Sequence, residues 1–295
     1  MKYRVFIICF LAALLRGPVM GADESSLLKD DFLWLEYGEG SKEKDGSLVL
    51  ELKINYGRFP DKIDNSVVME NLNAVYTARR TRIKEDDNPL YKADVHKNKS
   101  GYSIEMKSAK EARYILIVTA KKNENGVTSH YRAKTSFTLF GKSLSEEPQR
   151  IPALPESIVK SLELYVDPEH HFWPQTGNPI KVFPLYNGEM QGEKKISVFD
   201  EHAFPVELIT GKTGILNYIP PEDKKLNSMG ETASKQTVLV CGLDDEGEKY
   251  ISSYTLLLHR SRFGKHEYVP GIIVFGSAFI IFLFYMITIR LRSTI

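Results

Sequence analysis

Apolar and polar positions alternate through most of this chain, and turn-forming residues interrupt the alternation at short intervals. Period-two or β-rich runs fall at 47–54, 73–81, 102–106, 114–121, 131–140, 161–166, 180–185, 195–199, 214–219, 237–241 and 250–259, the pattern of short, partly buried strands. Between them stand Lys44-Asp45-Gly46, Glu124-Asn125-Gly126, Tyr186-Asn187-Gly188 and Asp245-Glu246-Gly247, which supply the residue types that tight hairpin turns demand. No long stretch of this region has the 3.6-residue period of an amphipathic helix. The pattern therefore predicts an all-β body of antiparallel Ig-like sandwiches.

Two stretches depart from alternation by being apolar on every side. Near the start, Lys2 and Arg4 precede an apolar run over 5–15, and the small residues Gly21 and Ala22 follow, the layout of a secretory signal. Near the end, 269–289 is uncharged and long enough to cross a bilayer as one helix, and Arg290 and Arg292 directly after it mark the cytoplasmic side. A proline-punctuated stretch at 143–157 lacks alternation and reads as a linker. The expected organisation is a signal peptide at 1–21, an N-terminal β-sandwich at 22–142, the linker at 143–157 and a second β-sandwich at 158–262. A stalk at 263–268, one C-terminal transmembrane helix at 269–289 and a cytoplasmic tail at 290–295 complete it. The body is then expected on the periplasmic or extracellular side of the cell membrane.

Composition narrows the function classes. A formal net charge of +1 argues against a nucleic-acid partner, which calls for a strongly basic face. Of the two cysteines, Cys9 falls in the signal stretch, so Cys241 has no partner and is expected to pack as a small apolar residue in a strand. The chain has no Gly-x-Ser-x-Gly elbow, no His-Glu-x-x-His helix and no phosphate-cradling glycine loop, so no enzyme is nominated. The acidic run 243–248 lacks the alternating ligands of a calcium loop and reads as a solvated hairpin.

The richest group of metal-ligand types is Asp167-Pro168-Glu169-His170-His171-Phe172-Trp173, since imidazole and carboxylate suit nickel, cobalt and zinc. Adjacent histidines in extended chain point to opposite faces, so His170 and His171 do not serve one ion together. One of them could act with Glu169 or with a distant His130, His202 or His259. The competing reading is a polar loop with Phe172 and Trp173 tucked against the sandwich.

Four strings occur in order along the chain: Asp31-Phe32-Leu33-Trp34-Leu35, Tyr56-Gly57-Arg58-Phe59-Pro60, His130-Tyr131-Arg132-Ala133-Lys134 and Tyr186-Asn187-Gly188. Together they resemble the exported β-sandwich family of unknown function associated with nickel and cobalt uptake permeases of the energy-coupling type. The resemblance implies a non-catalytic, extracytoplasmic accessory protein, tied to the membrane by one helix, with integral-membrane permease subunits as partners. That family has a histidine just before the aromatic start string and another in a Gly-His-Phe-Pro type turn; here Asp31 and Arg58 stand there. A carboxylate can still ligate a divalent ion, whereas a guanidinium cannot. If nickel or cobalt is bound, the ligands expected are Asp31, His130, Glu169, His170 and His171. The alternative function is an envelope adhesion or scaffold protein whose sandwiches bind another protein or a glycan.

Overall fold

The computed structural model describes residues 30–42, 48–62, 69–79, 90–98, 101–107, 112–139, 150–151, 161–167, 174–201, 203–222 and 234–259. Every regular element within them is a strand. The expected signal peptide, stalk, transmembrane helix and tail lie outside the described residues, as does all of the expected linker except Arg150 and Ile151.

In chain order the first strands are β1 (Phe32–Lys42), β2 (Leu48–Arg58), β3 (Asp61–Lys62), β4 (Glu70–Arg79), β5 (Leu90–Lys92) and β6 (Val95–Asn98). They are followed by β7 (Gly101–Lys107), β8 (Ala112–Glu124), β9 (Val127–Leu139), β10 (Arg150–Ile151), β11 (Leu162–Asp167) and β12 (Ile180–Tyr186). The last are β13 (Glu189–Met190), β14 (Lys195–Asp200), β15 (Ala203–Ile209), β16 (Leu216–Tyr218), β17 (Ser234–Asp245) and β18 (Glu248–His259). Three two-residue turns behave as the sequence predicts: Asn125-Gly126, Asn187-Gly188 and Glu246-Gly247 all have positive φ and close hairpins β8–β9, β12–β13 and β17–β18.

The strands form three sheets. A central nine-stranded sheet has the order β10-β5-β4-β8-β9-β18-β17-β14-β15. A second runs β1-β2-β7-β6 with β3 on β2, and a third runs β11-β12-β13 with β16 on β12. The central sheet draws strands from both stretches expected to form separate sandwiches, and its seam is a parallel pairing of β9 with β18, from Ser129 against Lys249 to Thr135 against Thr255. Antiparallel pairing alone was expected. A parallel seam forms here because β9 and β18 are covered on both faces, the setting in which parallel pairs are found.

Side-chain alternation assigns the two faces of that sheet. On one face Tyr114, Leu116, Val118, Tyr131, Ala133, Val238, Val240 and Ile251 join Phe32, Trp34, Leu52, Ile54 and Ile104 of the second sheet in one core. On the other, Ile196, Val198, Leu239, Cys241, Tyr254, Leu256 and Leu258 join Leu162, Leu164, Ile180 and Val182 of the third sheet. Cys241 is therefore a buried free thiol, and burial pushes it up to about 12.

The two covering strands that touch β18 are held partly by polar side chains. Phe32, Leu33, Trp34 and Leu35 are all buried, so the first part of β1 has no solvent face. Its open edge would leave backbone groups unpaired. Leu35 N instead donates to Thr255 Oγ1 at 3.3 Å, and the Ser253 hydroxyl donates to the Leu33 carbonyl. On the opposite face Leu164 N of β11 donates to Ser252 Oγ at 2.9 Å. The run Ser252-Ser253-Tyr254-Thr255 thus reads as two rows of hydroxyls serving two different neighbours. A shift in register marks the middle of β1, between Tyr37 and Gly40; a Cβ on Gly38 would lie 2.7 Å from the Glu51 carbonyl oxygen, so close approach of β2 requires glycine there.

Candidate functional site

The hairpin tips of β8–β9 and β17–β18 lie side by side, because the parallel register sets Ser129 against Lys249. This end of the body gathers a connected group of chemical side chains. On the face toward the third sheet, His130 Nε2 lies 3.0 Å from Glu248 Oε2, and the Tyr250 hydroxyl donates to the same oxygen at 2.8 Å. The imidazole stacks on the Tyr250 ring with centroids 4.8 Å apart and planes 11° apart. Tyr186 of β12 meets Tyr250 edge-on at 5.4 Å and donates its hydroxyl to Asp245 Oδ2 at 2.6 Å. The register places them together: His130 faces Tyr250 across the seam, and Asp245 and Glu248 face each other around the turn.

The electrostatics follow from these contacts. The hydroxyl donated by Tyr250, with the His130 imidazole beside it, holds the Glu248 carboxyl below its usual range. The bond to Asp245 holds the Tyr186 phenol above its usual range. Partial burial and donation to Glu248 do the same for Tyr250. Near neutral pH the cluster therefore presents two protonated phenols and the ionised Glu248 carboxylate around one imidazole, with Asp245 bonded to Tyr186 beside them. Such a surface can orient a polar ligand by hydrogen bonds while an aromatic ring supplies a flat contact.

Across the sheet, on the face toward β1, the same end carries ion pairs. Asp31 Oδ1 lies 3.9 Å from Arg58 Nε, and Asp30 Oδ1 lies 2.8 Å from Lys249 Nζ. Asp30 and Lys249 border a pocket of about 180 Å³ that also includes Lys195, Ser197, Glu207 and Asp244. Lys195 and Glu207 pair at 3.0 Å.

Of the five residues expected as metal ligands, Asp31 and His130 are described, and Glu169, His170 and His171 lie outside the described residues. Asp31 and His130 share one end of the body but sit on opposite faces of the central sheet, Asp31 with Arg58 and His130 with Glu248. The residues flanking the undescribed stretch are at the other end: Pro174 accepts from His259 N at 2.9 Å, and Asp167 faces Lys181. Tyr250 and His259 are separated by most of β18, about 30 Å of strand. Among the described residues no group of three or more His, Cys, Asp or Glu side chains could hold a metal ion. Asp31 has the Arg58 guanidinium beside it, a fixed positive charge close to its carboxylate.

Glu248, Tyr250, Tyr186 and Asp245 were not singled out by the sequence as functional. Tyr186 and Asp245 each stand directly before a two-residue turn, and that position at a hairpin tip was the available signal. The chain matches no family model, and no curated protein matches it.

Proposed function

We propose that this chain is a membrane-anchored extracytoplasmic accessory protein of a nickel or cobalt uptake system, acting by contact with membrane-embedded permease subunits and not by catalysis. In this reading 22–142 and 158–262 are Ig-like sandwiches that share the β9–β18 seam, and 269–289 is the single transmembrane helix. The observation that carries it is directional. β18 ends at His259, with nine residues between it and the uncharged stretch that begins at Val269, so the body stands on its last strand with the His130–Glu248 cluster at the far end. The resemblance of the four short strings supplies the link to metal uptake. The ion is cargo here, and Asp31 and His130, on opposite faces of the central sheet, would not share one site.

Deleting the gene from its source cell should lower accumulation of radioactive nickel or cobalt at limiting supply, and restoring the full chain should recover it. Unchanged uptake of both ions sinks the reading. A second reading, an envelope scaffold that binds a glycan or protein, draws on the Tyr186, Tyr250 and His130 rings flanked by Asp245 and Glu248. Under that reading Tyr250→Ala abolishes capture of an oligosaccharide or peptide ligand on an array while metal uptake stays normal.

A further inference from the structure

The end of the body opposite the His130 cluster carries an exposed apolar patch on an open sheet edge. His259, the last residue of β18, donates its N–H to Pro174 O at 2.9 Å, and its carbonyl accepts from Thr176 N at 2.9 Å. Gly177 N then donates to Pro220 O at 2.8 Å, which ties Ile219, Pro220 and Pro221 to the exit of β18 through a short backbone relay. The sheet register leads to the same end: Ser234 faces His259, Thr237 faces Asp200, and Asp200 faces Ala203. Phe204, next on edge strand β15, is 92% exposed, and Ile219 and Val206 are 60% and 41% exposed. They border an apolar groove of about 430 Å³ between β15 and β16, also lined by Val198, Leu208 and Tyr218. An exposed phenylalanine at the rim of an apolar groove gains free energy by leaving water, in proportion to the area it covers.

We propose that this patch is a membrane contact, in which Phe204, Ile219 and Val206 enter the boundary between headgroups and acyl chains of the bilayer crossed by residues 269–289. The inference rests on the anchored reading above. Its occupant follows from the chain that leaves His259. Only residues 260–268 intervene, and nine residues span at most about 30 Å, so the patch is held near the bilayer whenever 269–289 is in it. That tether carries Arg260, Arg262 and Lys265 against a single carboxylate, Glu267, and cationic juxtamembrane segments are drawn to phosphate headgroups. Aromatic and aliphatic side chains seated at the headgroup and acyl boundary are how interfacial segments hold a membrane surface. Glu201 and Glu222, exposed near the patch, fit a zwitterionic surface better than a strongly anionic one.

The full chain is reconstituted in phosphatidylcholine vesicles containing a lipid with a spin-label quencher on its acyl chain near the carbonyl. A nitrobenzoxadiazole fluorophore is placed at Phe204→Cys, at Ile219→Cys or, as a far-end control, at Val127→Cys, each in a Cys9→Ser, Cys241→Ala background. Labels at 204 and 219 are expected to be quenched several-fold more strongly than the label at 127, and their emission to shift to the blue. Equal, weak quenching at all three positions, in protein that resists carbonate extraction, overturns the membrane contact and leaves the anchored reading standing. Release of the whole chain by carbonate overturns both together. Disulfide-linked dimers of the unlabelled Phe204→Cys protein, with no lipid quenching of the labelled one, would assign the patch to a second copy of the chain and overturn the proposal. Circular dichroism of each labelled protein establishes that it is folded, and the Ile219 label gives the answer without a change in β15.

Discussion

The two faces of the central sheet are filled by different chemistry. Toward β1, β2 and β7 the buried polar side chains of the central sheet are neutral: Thr135, Ser197, Ser253 and Thr255 stand among aromatic and aliphatic side chains. Among the described residues the buried charged ones, Arg132, Lys134, Asp200 and Lys235, all point to the other face. There Glu163 of β11 meets Arg132 Nη1 at 3.1 Å and is also bonded by the Lys134 ammonium, while Arg132 Nη1 donates to Ser161 Oγ at 2.8 Å. Lys235 and Asp200 pair at 2.9 Å, and Thr237 donates to Asp200 at 3.0 Å. A core of the first kind draws its stability from area and packing and tolerates little loss of volume. In a core of the second kind each charge costs desolvation energy unless its partner is in place, so charges contribute specificity of register more surely than stability. Burial works against ionisation of Glu163, yet the Lys134 and Arg132 cations outweigh it and hold its carboxyl below the usual range.

The largest effect should come from the first face. Trp34 is 2% exposed and packs edge-on against Phe59 at 4.9 Å, so Trp34→Ala should cost about 3–5 kcal/mol in chemical denaturation, as for other buried large aromatics. An unchanged denaturation midpoint would show that the face is not held by volume. On the second face Glu163→Ala strands two buried cations and should cost about 3 kcal/mol. The triple replacement Arg132→Met, Lys134→Met, Glu163→Leu should instead fall within about 1 kcal/mol of the native chain or exceed it, because no charge is then left unpaired. If the triple variant is as unstable as the single one, the cluster stabilises in its own right and the contrast drawn above fails.

A smaller, pH-dependent difference follows from Glu163. Its folded value is depressed, so the unfolded chain binds its proton more readily, and the stability it contributes is present above the ordinary glutamate range near about 4.3. That contribution is lost as pH falls through the lower folded value. The melting temperature of the native chain should therefore drop more steeply below about pH 4 than that of the triple variant. Parallel curves would remove Glu163 as the cause. Glu248, also held low, is common to both proteins and cancels. The smallest effect is expected at the edge of β1: Thr255→Val removes the acceptor for Leu35 N and should cost about 1 kcal/mol, with faster hydrogen exchange at the Leu35 amide. Unaltered exchange there would mean that Thr255 does not protect the edge.

Each of the eleven period-two or β-rich runs overlaps a strand, by alternation where one face is open and by β-branched and aromatic content where, as in β17, both faces are buried. β1 was missed as a run for the opposite reason: Phe32-Leu33-Trp34-Leu35 is buried throughout, and burial on both sides erases alternation. β15 was hidden by Pro205 and by exposure on both sides, both features of an edge strand. β3, β5, β10 and β13 are too short for a period to emerge. The pairing of β9 with β18 has no local signature at all, since nothing in either strand records which remote strand will lie beside it. At the candidate site the ligand types His130 and Asp31 were legible as residues. The partner of His130 was not, because Glu248 lay in a run read as a solvated hairpin, whereas Arg58 was already set with Asp31 by the resemblance and lies 3.9 Å from it.

The parallel seam also sets the order in which the body can be completed during synthesis. Ser129 must wait for Lys249, 249 − 129 = 120 positions later, and until then β9 keeps an open hydrogen-bonding edge beside Tyr131 and Ala133, whose core still lacks Val238, Val240 and Ile251. Open edges of this sort invite pairing with other chains, and non-local closure is slow. The emerging chain accordingly keeps that edge open while those 120 positions are made, and a chain that stops before β18 lacks the strand that both cores share.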